Sequence, residues 1–372
     1  MRVSCIAFTE RGYALAGRIA HALSGCSSEG EGASAWDVSV SRGFGEGKVS
    51  LASWAARAWE ASDALLFVGA VGIAVRAVAP HVASKASDPA VVAVDEAGRF
   101  SVALLSGHLG GANDFALAVA RAAGAIPVVT TATDARGVWA VDTWARRAGL
   151  AVSNPEAIKR VSARLLAGGR AALYSDVPIS GQPPEGVDVA GDWVAADVVV
   201  SPFVGAGASV HAAEAGEVAS SPAGAAGGPA GVRAEPLRLV PRSIACGIGC
   251  RRGIAAGAVE EAFSLACDRA GIFPAAVARV ASIDVKAHEA GLLAFCEAHD
   301  LPFRTYPADE LALVAGSVSP SAFVVDTVGV DNVCERAALA EGGTLVLPKF
   351  AHGGVTVAFA QVEVDVSFEK GA

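Results

Sequence analysis

The chain has 372 residues, which at ~150 residues per domain predicts two to three domains. Hydrophobic residues make up 53% and charged residues 18%, so the chain holds enough apolar material for a sizeable core, and a wholly disordered chain is excluded. The formal net charge of −9 disfavours a nucleic-acid-binding protein, because such proteins usually carry a basic face.

The longest uninterrupted apolar run, residues 64–75, is shorter than the ~20 residues that span a bilayer. We interpret it as a buried strand followed by a turn. The N-terminus lacks the layout of a signal peptide, because Glu10 and Arg11 interrupt its apolar stretch. The seven cysteines form no framework spacing, which is typical of reduced thiols. These observations predict a cytoplasmic protein without a membrane partner.

The first segment, residues 1–132, is predicted to alternate strands and helices. In chain order the predicted elements are a strand at 2–7, a helix at 12–23, a polar loop at 25–34, strands at 64–68, 90–94 and 100–105, a helix at 112–123 and a strand at 126–130. The turn-forming sequence DEAGR joins the strands at 90–94 and 100–105, so we expect a hairpin there. Gly124 is the stop signal of the helix before it.

Two further segments and a linker complete the chain. The second segment, residues 133–211, is predicted to contain a helix at 138–148, a helix capped by Asn154 with Pro155 at its first position, and strands at 171–174 and 194–200. Residues 212–236 have almost no large apolar side chains and are predicted to form a flexible Gly/Ala linker.

The third segment, residues 237–372, again alternates strands with helices. Its predicted elements are strands at 243–248, 277–283 and 322–325, helices at 254–270, 288–298 and 331–340, and closing strands at 344–347 and 355–360. Such alternation predicts layered domains. The fold class expected for the whole chain is therefore multidomain α/β, with layered α/β domains and strand–helix alternation.

A glycine loop, residues 106–111 (SGHLGG), lies between a predicted strand and a predicted helix. Glycines let the backbone approach a ligand, and free N–H groups at the helix start attract anions. His108 brings a side chain that exchanges a proton near neutral pH, and Asn113 and Asp114 follow in the first helical turn. The alternative is a tight turn with a capping network and a structural histidine.

Lys85 and Asp88 lie three residues apart in the loop before the predicted hairpin. Together they have the chemistry to bind a carboxylate and to position a water molecule. Taken alone, the pair is explained as well by a solvated turn, with Asp88 preceding Pro89.

The sequence CGIGCRRG, residues 246–253, follows a predicted strand in the third segment. Its Cys246 and Cys250 have no second Cys or His pair nearby, so no metal site is predicted. Arg251 and Arg252 instead predict an anion site at a helix start, because arginine binds carboxylates through two parallel hydrogen bonds.

Three more loops, at 284–289, 327–336 and 347–354, place polar or basic groups after predicted strands. Ligands of open parallel sheets bind at the carboxyl ends of the strands, so these loops are expected to share one edge. We call the resulting set of cations the basic rim: Arg251, Arg252, Lys286, Arg336, Lys349 and His352. Such a rim suits a polyanionic small molecule, and ordinary surface loops are the alternative.

At these residues the chain resembles the CbiG family of cobalamin biosynthesis. The resemblance is carried by residues 85–114 (KASDPAVVAVDEAGRFSVALLSGHLGGAND), 247–253 (GIGCRRG), 281–292 (ASIDVKAHEAGL) and 327–339 (TVGVDNVCERAAL). The order of these motifs fits the N-terminal, middle and C-terminal parts of the family, so the resemblance covers nearly the whole chain. The Gly/Ala linker departs from the family pattern, and the middle segment has the least distinctive match.

The resemblance implies a cobalt-precorrin-5A hydrolase of the oxygen-independent route to the corrin ring. Such an enzyme opens a δ-lactone and expels the methylated C20 carbon as acetaldehyde, giving cobalt-precorrin-5B. The cobalt belongs to the substrate, so no protein cofactor or protein-bound metal is expected. The implied partners are the cobalt-precorrin substrate and other enzymes of the cobalamin pathway.

Roles within this reaction follow from chemistry rather than from the family. Lactone opening needs an activated water and stabilisation of an oxyanion, for which we assign His108 as base and the N–H groups of Gly110 and Gly111 as donors. Lys85 and Asp88 would position the lactone or assist the later carbon–carbon cleavage. Further substrate contacts are assigned to Ser106, Asn113 and Asp114, and binding of the side-chain carboxylates to Arg251, Arg252 and Lys286.

Two rival classes of function stay open at this point. The first is another α/β enzyme that binds a nucleotide at the glycine-rich turns, although no phosphate-loop or dinucleotide fingerprint is present. The second is a non-catalytic tetrapyrrole-binding or carrier protein, which would share the basic rim but would not need His108, Lys85 and Asp88 together.

Overall fold

The computed structural model describes residues 1–25, 36–84, 87–131, 136–205, 234–314 and 332–369. By the density of internal contacts the chain divides into a first unit, Met1–Arg146 with Leu165–Gly168, and a second unit, Arg147–Arg164 with Gly169–Ala372. Sheets and helices alternate in both units, which confirms the predicted multidomain α/β class. Within the described ranges, no helix has the length and apolar character needed to cross a bilayer.

The described residues of the first unit form one six-stranded sheet and five helices. Its strands are β1 (Arg2–Ala7), β2 (Asp37–Arg42), β3 (Ala64–Val68), β4 (Ala90–Val94), β5 (Phe100–Leu105) and β6 (Ile126–Val128). Its helices are α1 (Glu10–Gly25), α2 (Leu51–Ala61), α3 (Val71–Val78), α4 (Ala112–Ala123) and α5 (Val141–Arg147), the last residue of α5 belonging to the second unit.

The direction of two strands determines where the loops of the first unit emerge. The sheet order is β2-β1-β3-β4-β5-β6, and β1 to β4 are parallel. The predicted hairpin is confirmed, because β5 pairs antiparallel with β4, and β6 then runs parallel to β5. The carboxyl ends of β5 and β6 therefore lie at the same edge as the amino ends of β1, β3 and β4.

Helices cover both faces of this sheet. Helices α1 and α4 bury Ile19, Phe115 and Val119 against one face, and α2 buries Trp54 against the other. Strands β3 and β4 are buried along their whole length, as expected for a sheet covered on both sides. The apolar run at 64–75 is a strand followed by helix α3 rather than by a turn, so that part of the interpretation was wrong.

Where the structure describes the second unit, it forms two five-stranded sheets and a small two-stranded one. Its strands are β7 (Ala151–Val152), β8 (Ala171–Ser175), β9 (Ile179–Ser180), β10 (Val187–Val189), β11 (Val198–Val200), β12 (Leu237–Val240), β13 (Ile244–Cys250), β14 (Val277–Ile283), β15 (Phe303–Tyr306), β16 (Thr344–His352), β17 (Val355–Gln361) and β18 (Val366–Ser367). Its helices are α6 (Ile158–Leu166), which the two units share, α7 (Ala256–Ala270), α8 (Ala290–Ala298), α9 (Ala308–Leu313) and α10 (Val333–Ala340).

The middle sheet has the order β10-β8-β11-β12-β7. Strand β12 pairs with β11 and β7, so it belongs to the middle sheet, although the sequence places residue 237 at the start of the third segment. Asn154 is the N-cap residue and Pro155 the first residue of the short 3-10 helix Pro155–Ala157, as predicted. The Asn154 side chain makes no capping hydrogen bond, because it accepts from Arg238 N–H and donates to the Pro236 carbonyl. Linker residues 212–233 lie outside the described residues.

The C-terminal sheet has the order β15-β14-β13-β17-β16, with β13, β14 and β15 parallel. Helices α7 and α8 cover one face, where Phe263 and Phe295 meet at 5.1 Å, and α10 packs on the other. The predicted loop at 347–354 is mostly strand, because β16 continues to His352. The predicted strand at 322–325 and the loop residues 327–331 lie outside the described residues.

Candidate functional site

The glycine loop follows β5 and therefore emerges beside the start of β4. Leu105 pairs with Val91, which places the loop next to Asp88 at one edge of the sheet. A Cβ atom on Gly110 would stand 2.3 Å from the Cβ of Ser106 and 3.2 Å from the carbonyl oxygen of Asp88. Only glycine fits at this position. The fold thus places the glycine loop beside Asp88, although the two lie in separate parts of the sequence.

His108 is paired with Asp142, a residue of the first turn of α5. Nδ1 of His108 and Oδ2 of Asp142 are 3.2 Å apart, and the two side chains are 15% and 5% exposed. The second carboxylate oxygen of Asp142 accepts from the N–H of Thr143 at 3.1 Å. An aspartate held at Nδ1 orients an imidazole and makes Nε2 its proton-accepting atom. This is the arrangement of a general base.

Arg146 joins the glycine loop to the same helix. It lies four residues after Asp142, so the two side chains share one face of α5. Its Nε donates to the carbonyl oxygen of His108 at 3.0 Å, and its Nη2 pairs with the carboxylate of Asp114. Two charged residues of α5, Asp142 and Arg146, thus hold the ring and the backbone of His108.

The N–H groups at the end of the loop and the start of α4 donate to carbonyl groups of the loop. Gly111 adopts φ +81° as the cap of α4, and its N–H donates to the carbonyl of His108 at 3.0 Å. Asn113 N–H donates to the carbonyl of Gly107 at 3.0 Å. The N–H of Gly110 has no acceptor among the described residues. Of the two glycines assigned to the oxyanion, Gly110 therefore keeps its donor and Gly111 does not.

Ser106 occupies a strained position at the end of β5. Its φ is +58°, in a region that residues other than glycine seldom adopt. Its Oγ is buried and, within the described part of the chain, has no hydrogen-bond partner. A buried hydroxyl without a partner costs ~1–3 kcal/mol, so this oxygen is a ready hydrogen-bonding group for a ligand.

Asp88 and Asn113 support the loop through bonds within the protein. Oδ2 of Asp88 accepts the N–H groups of Ala83 and Ser84, each at 3.0 Å. Nδ2 of Asn113 donates to Oγ1 of Thr131 at 3.1 Å, which ties the start of α4 to the chain after β6. Lys85 lies outside the described residues.

The residues of the basic rim lie in the second unit, and its loops are joined by a carboxylate. Glu289 accepts from Lys286 Nζ at 3.3 Å and from the N–H of Gly253 at 2.8 Å, which joins the loops after β14 and β13. Partial burial raises the pKa of Glu289, but these hydrogen bonds and the Lys286 charge outweigh it and leave the pKa below its ordinary value. Lys286 is therefore already paired with a carboxylate.

The other members of the rim divide into paired and unpaired cations. Arg336 donates to the carbonyls of Leu311, Ala312 and Val314 at the end of α9, and His352 lies 3.2 Å from Glu261. Lys349 lies within β16. Arg251 and Arg252 are exposed, and neither side chain has a partner among the described residues.

The described ranges contain no group of three or more His, Cys, Asp or Glu side chains placed to hold a metal ion. The expected absence of a protein-bound metal stays a prediction. Cys246 is fully buried, and burial raises the pKa of its thiol well above the ordinary value.

Asp142 and Arg146 are the site residues that sequence reasoning missed. The sequence places them four residues apart on a predicted helix, between Trp139 and other apolar residues. Trp139 and Trp144 are buried against each other at 5.5 Å, so a charged pair on this helix needs partners inside the protein. Charged residues on an otherwise apolar helix were therefore the signal in the sequence that could have identified Asp142 and Arg146 as site residues.

Three family models match successive parts of the chain. The model described as cobalamin synthesis G N-terminal matches residues 53–134, cobalamin biosynthesis central region matches 139–202, and cobalamin synthesis G C-terminus matches 244–360. His108 lies in the first match, whereas Asp142 and Arg146 lie in the second.

Two proteins similar to this chain are named cobalt-precorrin-5A hydrolase, and one similar solved structure is named a cobalamin biosynthesis protein G homologue. The cobalt-precorrin-5A hydrolase of Salmonella typhimurium is 33% identical over 308 residues, which cover 82% of this chain and 84% of that protein. The cobalt-precorrin-5A hydrolase of Priestia megaterium is 28% identical and covers 82% and 80%. The crystal structure of a cobalamin biosynthesis protein G homologue from Sulfolobus solfataricus covers 97% of both chains, with 20% identity and a TM-score of 0.40. With three family models in order and a relative of this identity, the chain belongs to the CbiG family of cobalamin biosynthesis.

Proposed function

We propose that the chain is a cobalt-precorrin-5A hydrolase, which opens the δ-lactone of its substrate and releases the C20 fragment as acetaldehyde to give cobalt-precorrin-5B. The names of its relatives support this substrate. The observation that carries the proposal is the pairing of His108 with Asp142 in the glycine loop, because lactone opening requires a base for water.

In the first step His108 accepts a proton from water as the water oxygen attacks the lactone carbonyl. The electron pair of the carbonyl moves to its oxygen, and the N–H of Gly110 donates to this oxyanion. The tetrahedral species then collapses and the ring C–O bond breaks. His108 returns the proton to the leaving oxygen, which becomes a hydroxyl group, and Asp142 stabilises the imidazolium throughout.

The second step breaks the bond between C20 and the macrocycle. The new hydroxyl group loses its proton, a C=O bond forms at C20, and acetaldehyde leaves. The electron pair of the broken bond passes into the macrocycle, which takes up a proton. Lys85 and Asp88 are proposed to position the lactone and to assist this step, Asp88 through the turn that its carboxylate organises.

Recognition of the substrate is assigned to two sets of groups. Ser106 Oγ, which has no hydrogen-bond partner among the residues that the structure describes, is assigned to hydrogen-bond the reacting part of the substrate. Asn113 and Asp114 hold the helix start that flanks it. Arg251 and Arg252 bind side-chain carboxylates of the macrocycle, and Lys286 adds a charge that Glu289 moderates. The cobalt arrives with the substrate.

The test is an anaerobic incubation of the purified protein with cobalt-precorrin-5A, followed by assays for acetaldehyde and for the mass of the macrocycle. The wild type should release acetaldehyde, and the macrocycle should gain water and lose acetaldehyde. His108→Gln should lower kcat by ~10²–10⁴-fold, the usual contribution of a general base.

The control variant is His299→Gln. His299 also pairs with a carboxylate, at 2.5 Å from Glu260, but it lies in the second unit as the C-cap residue of α8. It should keep the wild-type kcat. Tight binding without acetaldehyde would favour a carrier protein, and an unchanged kcat in His108→Gln would remove His108 from the role of base.

A further inference from the structure

We propose that Arg146 is a positioning residue of the lactone-opening step, which fixes the backbone of His108 while Asp142 fixes its ring. The kinetic part of this inference rests on the proposed function. The geometric part concerns the glycine loop alone and can be tested without substrate.

Two contacts place Arg146 on the loop. Its Nε donates to the carbonyl oxygen of His108 at 3.0 Å, and its Nη2 pairs with Asp114 in the first turn of α4. A Cβ atom on Gly111 would stand 3.3 Å from the Arg146 Cζ, so the guanidinium lies directly against the glycine that caps α4. The side chain therefore spans the loop from His108 to the helix that follows.

The same carbonyl of His108 also accepts the N–H of Gly111 at 3.0 Å. His108 is thereby held at its carbonyl by two donors and at Nδ1 by Asp142. Because Asp142 and Arg146 are one turn apart on α5, a single rigid element sets both the ring and the backbone. A general base must stand within hydrogen-bond reach of its water, and a displacement of ~1 Å can lower a rate ~10²-fold.

Arginine is suited to this task and lysine is not. The planar guanidinium offers several N–H groups at fixed angles, so it can bond a carbonyl and a carboxylate at once. A lysine ammonium in the same place would reach one partner at a time. The alternative role, direct binding of a substrate carboxylate, is testable because the Arg146 side chain is 32% exposed.

The kinetic test compares Arg146→Met, Arg146→Lys and Asp114→Asn with Arg170→Met as a matched control. Arg170 makes a two-bond pair with Asp188, at 2.7 and 2.5 Å, on the surface of the second unit. We expect Arg146→Met to lower kcat ~10²-fold with KM within about threefold of wild type, since positioning acts on the transition state. Added guanidinium ion should restore part of this loss, Arg146→Lys should stay impaired, and Arg170→Met should match wild type.

Asp114→Asn distinguishes loss of the Arg146–His108 bond from a general disturbance of the fold, because it removes only the ion pair of Arg146 with Asp114. It keeps the bond from Arg146 to the His108 carbonyl, so its loss of kcat should be smaller than that of Arg146→Met. A rise in KM with unchanged kcat in Arg146→Met would overturn the proposal in favour of direct carboxylate binding.

A second readout needs no substrate. Diethyl pyrocarbonate acylates imidazoles, and peptide mass spectrometry gives the rate at each histidine. Arg146→Met should change the rate at His108 several-fold and leave the rate at His299 unchanged, whereas an unchanged rate at His108 would overturn the inference. If Arg146→Met changes the labelling rate at His108 while the wild type releases no acetaldehyde, the proposed function fails while the role of Arg146 in positioning His108 stands.

Discussion

The glycine loop of the first unit and the basic rim of the second unit contain similar residue types in different states. His108 in the loop and the side chains around it, Asp114, Asp142 and Arg146, each contact an oppositely charged or hydrogen-bonding partner that fixes their direction. In the rim, Arg251 and Arg252 are exposed, and neither side chain has such a partner in the described part of the chain. Proton transfer requires fixed geometry, whereas attraction of carboxylates requires only charge within reach, so the two regions are suited to different tasks.

The largest effect is expected from Asp142→Asn. The amide keeps the size of the carboxylate but cannot stabilise an imidazolium, and it favours the wrong tautomer of His108. We expect kcat for acetaldehyde release to fall by at least ~10²-fold with little change in KM. Asp188→Asn, which removes a carboxylate from an exposed pair, is the control and should match wild type. If Asp142→Asn keeps the wild-type kcat, the reaction does not require Asp142 to orient His108, and the proposed difference between the glycine loop and the basic rim is wrong.

A smaller effect is expected from the double variant Arg251→Met with Arg252→Met. If the rim attracts the substrate by charge alone, KM should rise about fivefold and kcat should stay constant, because exposed ion pairs contribute up to ~1 kcal/mol each. The dependence of KM on salt should also become weaker. Arg269→Met, an exposed cation in the last turn of α7, should change neither quantity. A drop in kcat would show that the rim has a geometric role as well.

The smallest effect is expected from a change at Glu289. Its carboxylate pairs with Lys286, whereas Arg251 and Arg252 have no side-chain partner among the described residues. The pKa of Glu289 is lowered in the folded protein, so its carboxylate stabilises the fold above the unfolded pKa of ~4.3, and this contribution is lost as the pH falls through the folded pKa. Glu289→Gln should therefore lower Tm at pH 7, and the difference from wild type should shrink between pH 5 and pH 3. A difference that is constant with pH would mean that packing, rather than charge, holds these loops together.

The local features of the first unit could be predicted from the sequence. The DEAGR turn between two apolar runs predicted the hairpin of β4 and β5, and Gly124 predicted the end of α4, where it adopts φ +69°. These predictions succeed because turn and cap residues act on their own backbone neighbours.

The features that were missed depend on residues distant in sequence. Asn154 is the N-cap residue as predicted, but its side chain bonds the distant chain at Pro236 and Arg238 rather than the helix. The predicted loop at 347–354 includes Pro348, yet β16 runs through it, because β16 lies at the edge of its sheet, where proline is tolerated and the pairing with β17 is irregular. The pairing of His108 with Asp142 joins positions on two predicted segments, and no local pattern specifies such a contact.

The position of α5 has a practical consequence for cutting this chain into pieces. A fragment ended at residue 132, where composition places the first boundary, would keep His108 and lose both Asp142 and Arg146. A chimera joined between the N-terminal and central family matches would likewise combine a histidine from one parent with supporting side chains from another. Fragments and chimeras that aim to preserve the site should instead keep residues 106–146 from a single parent.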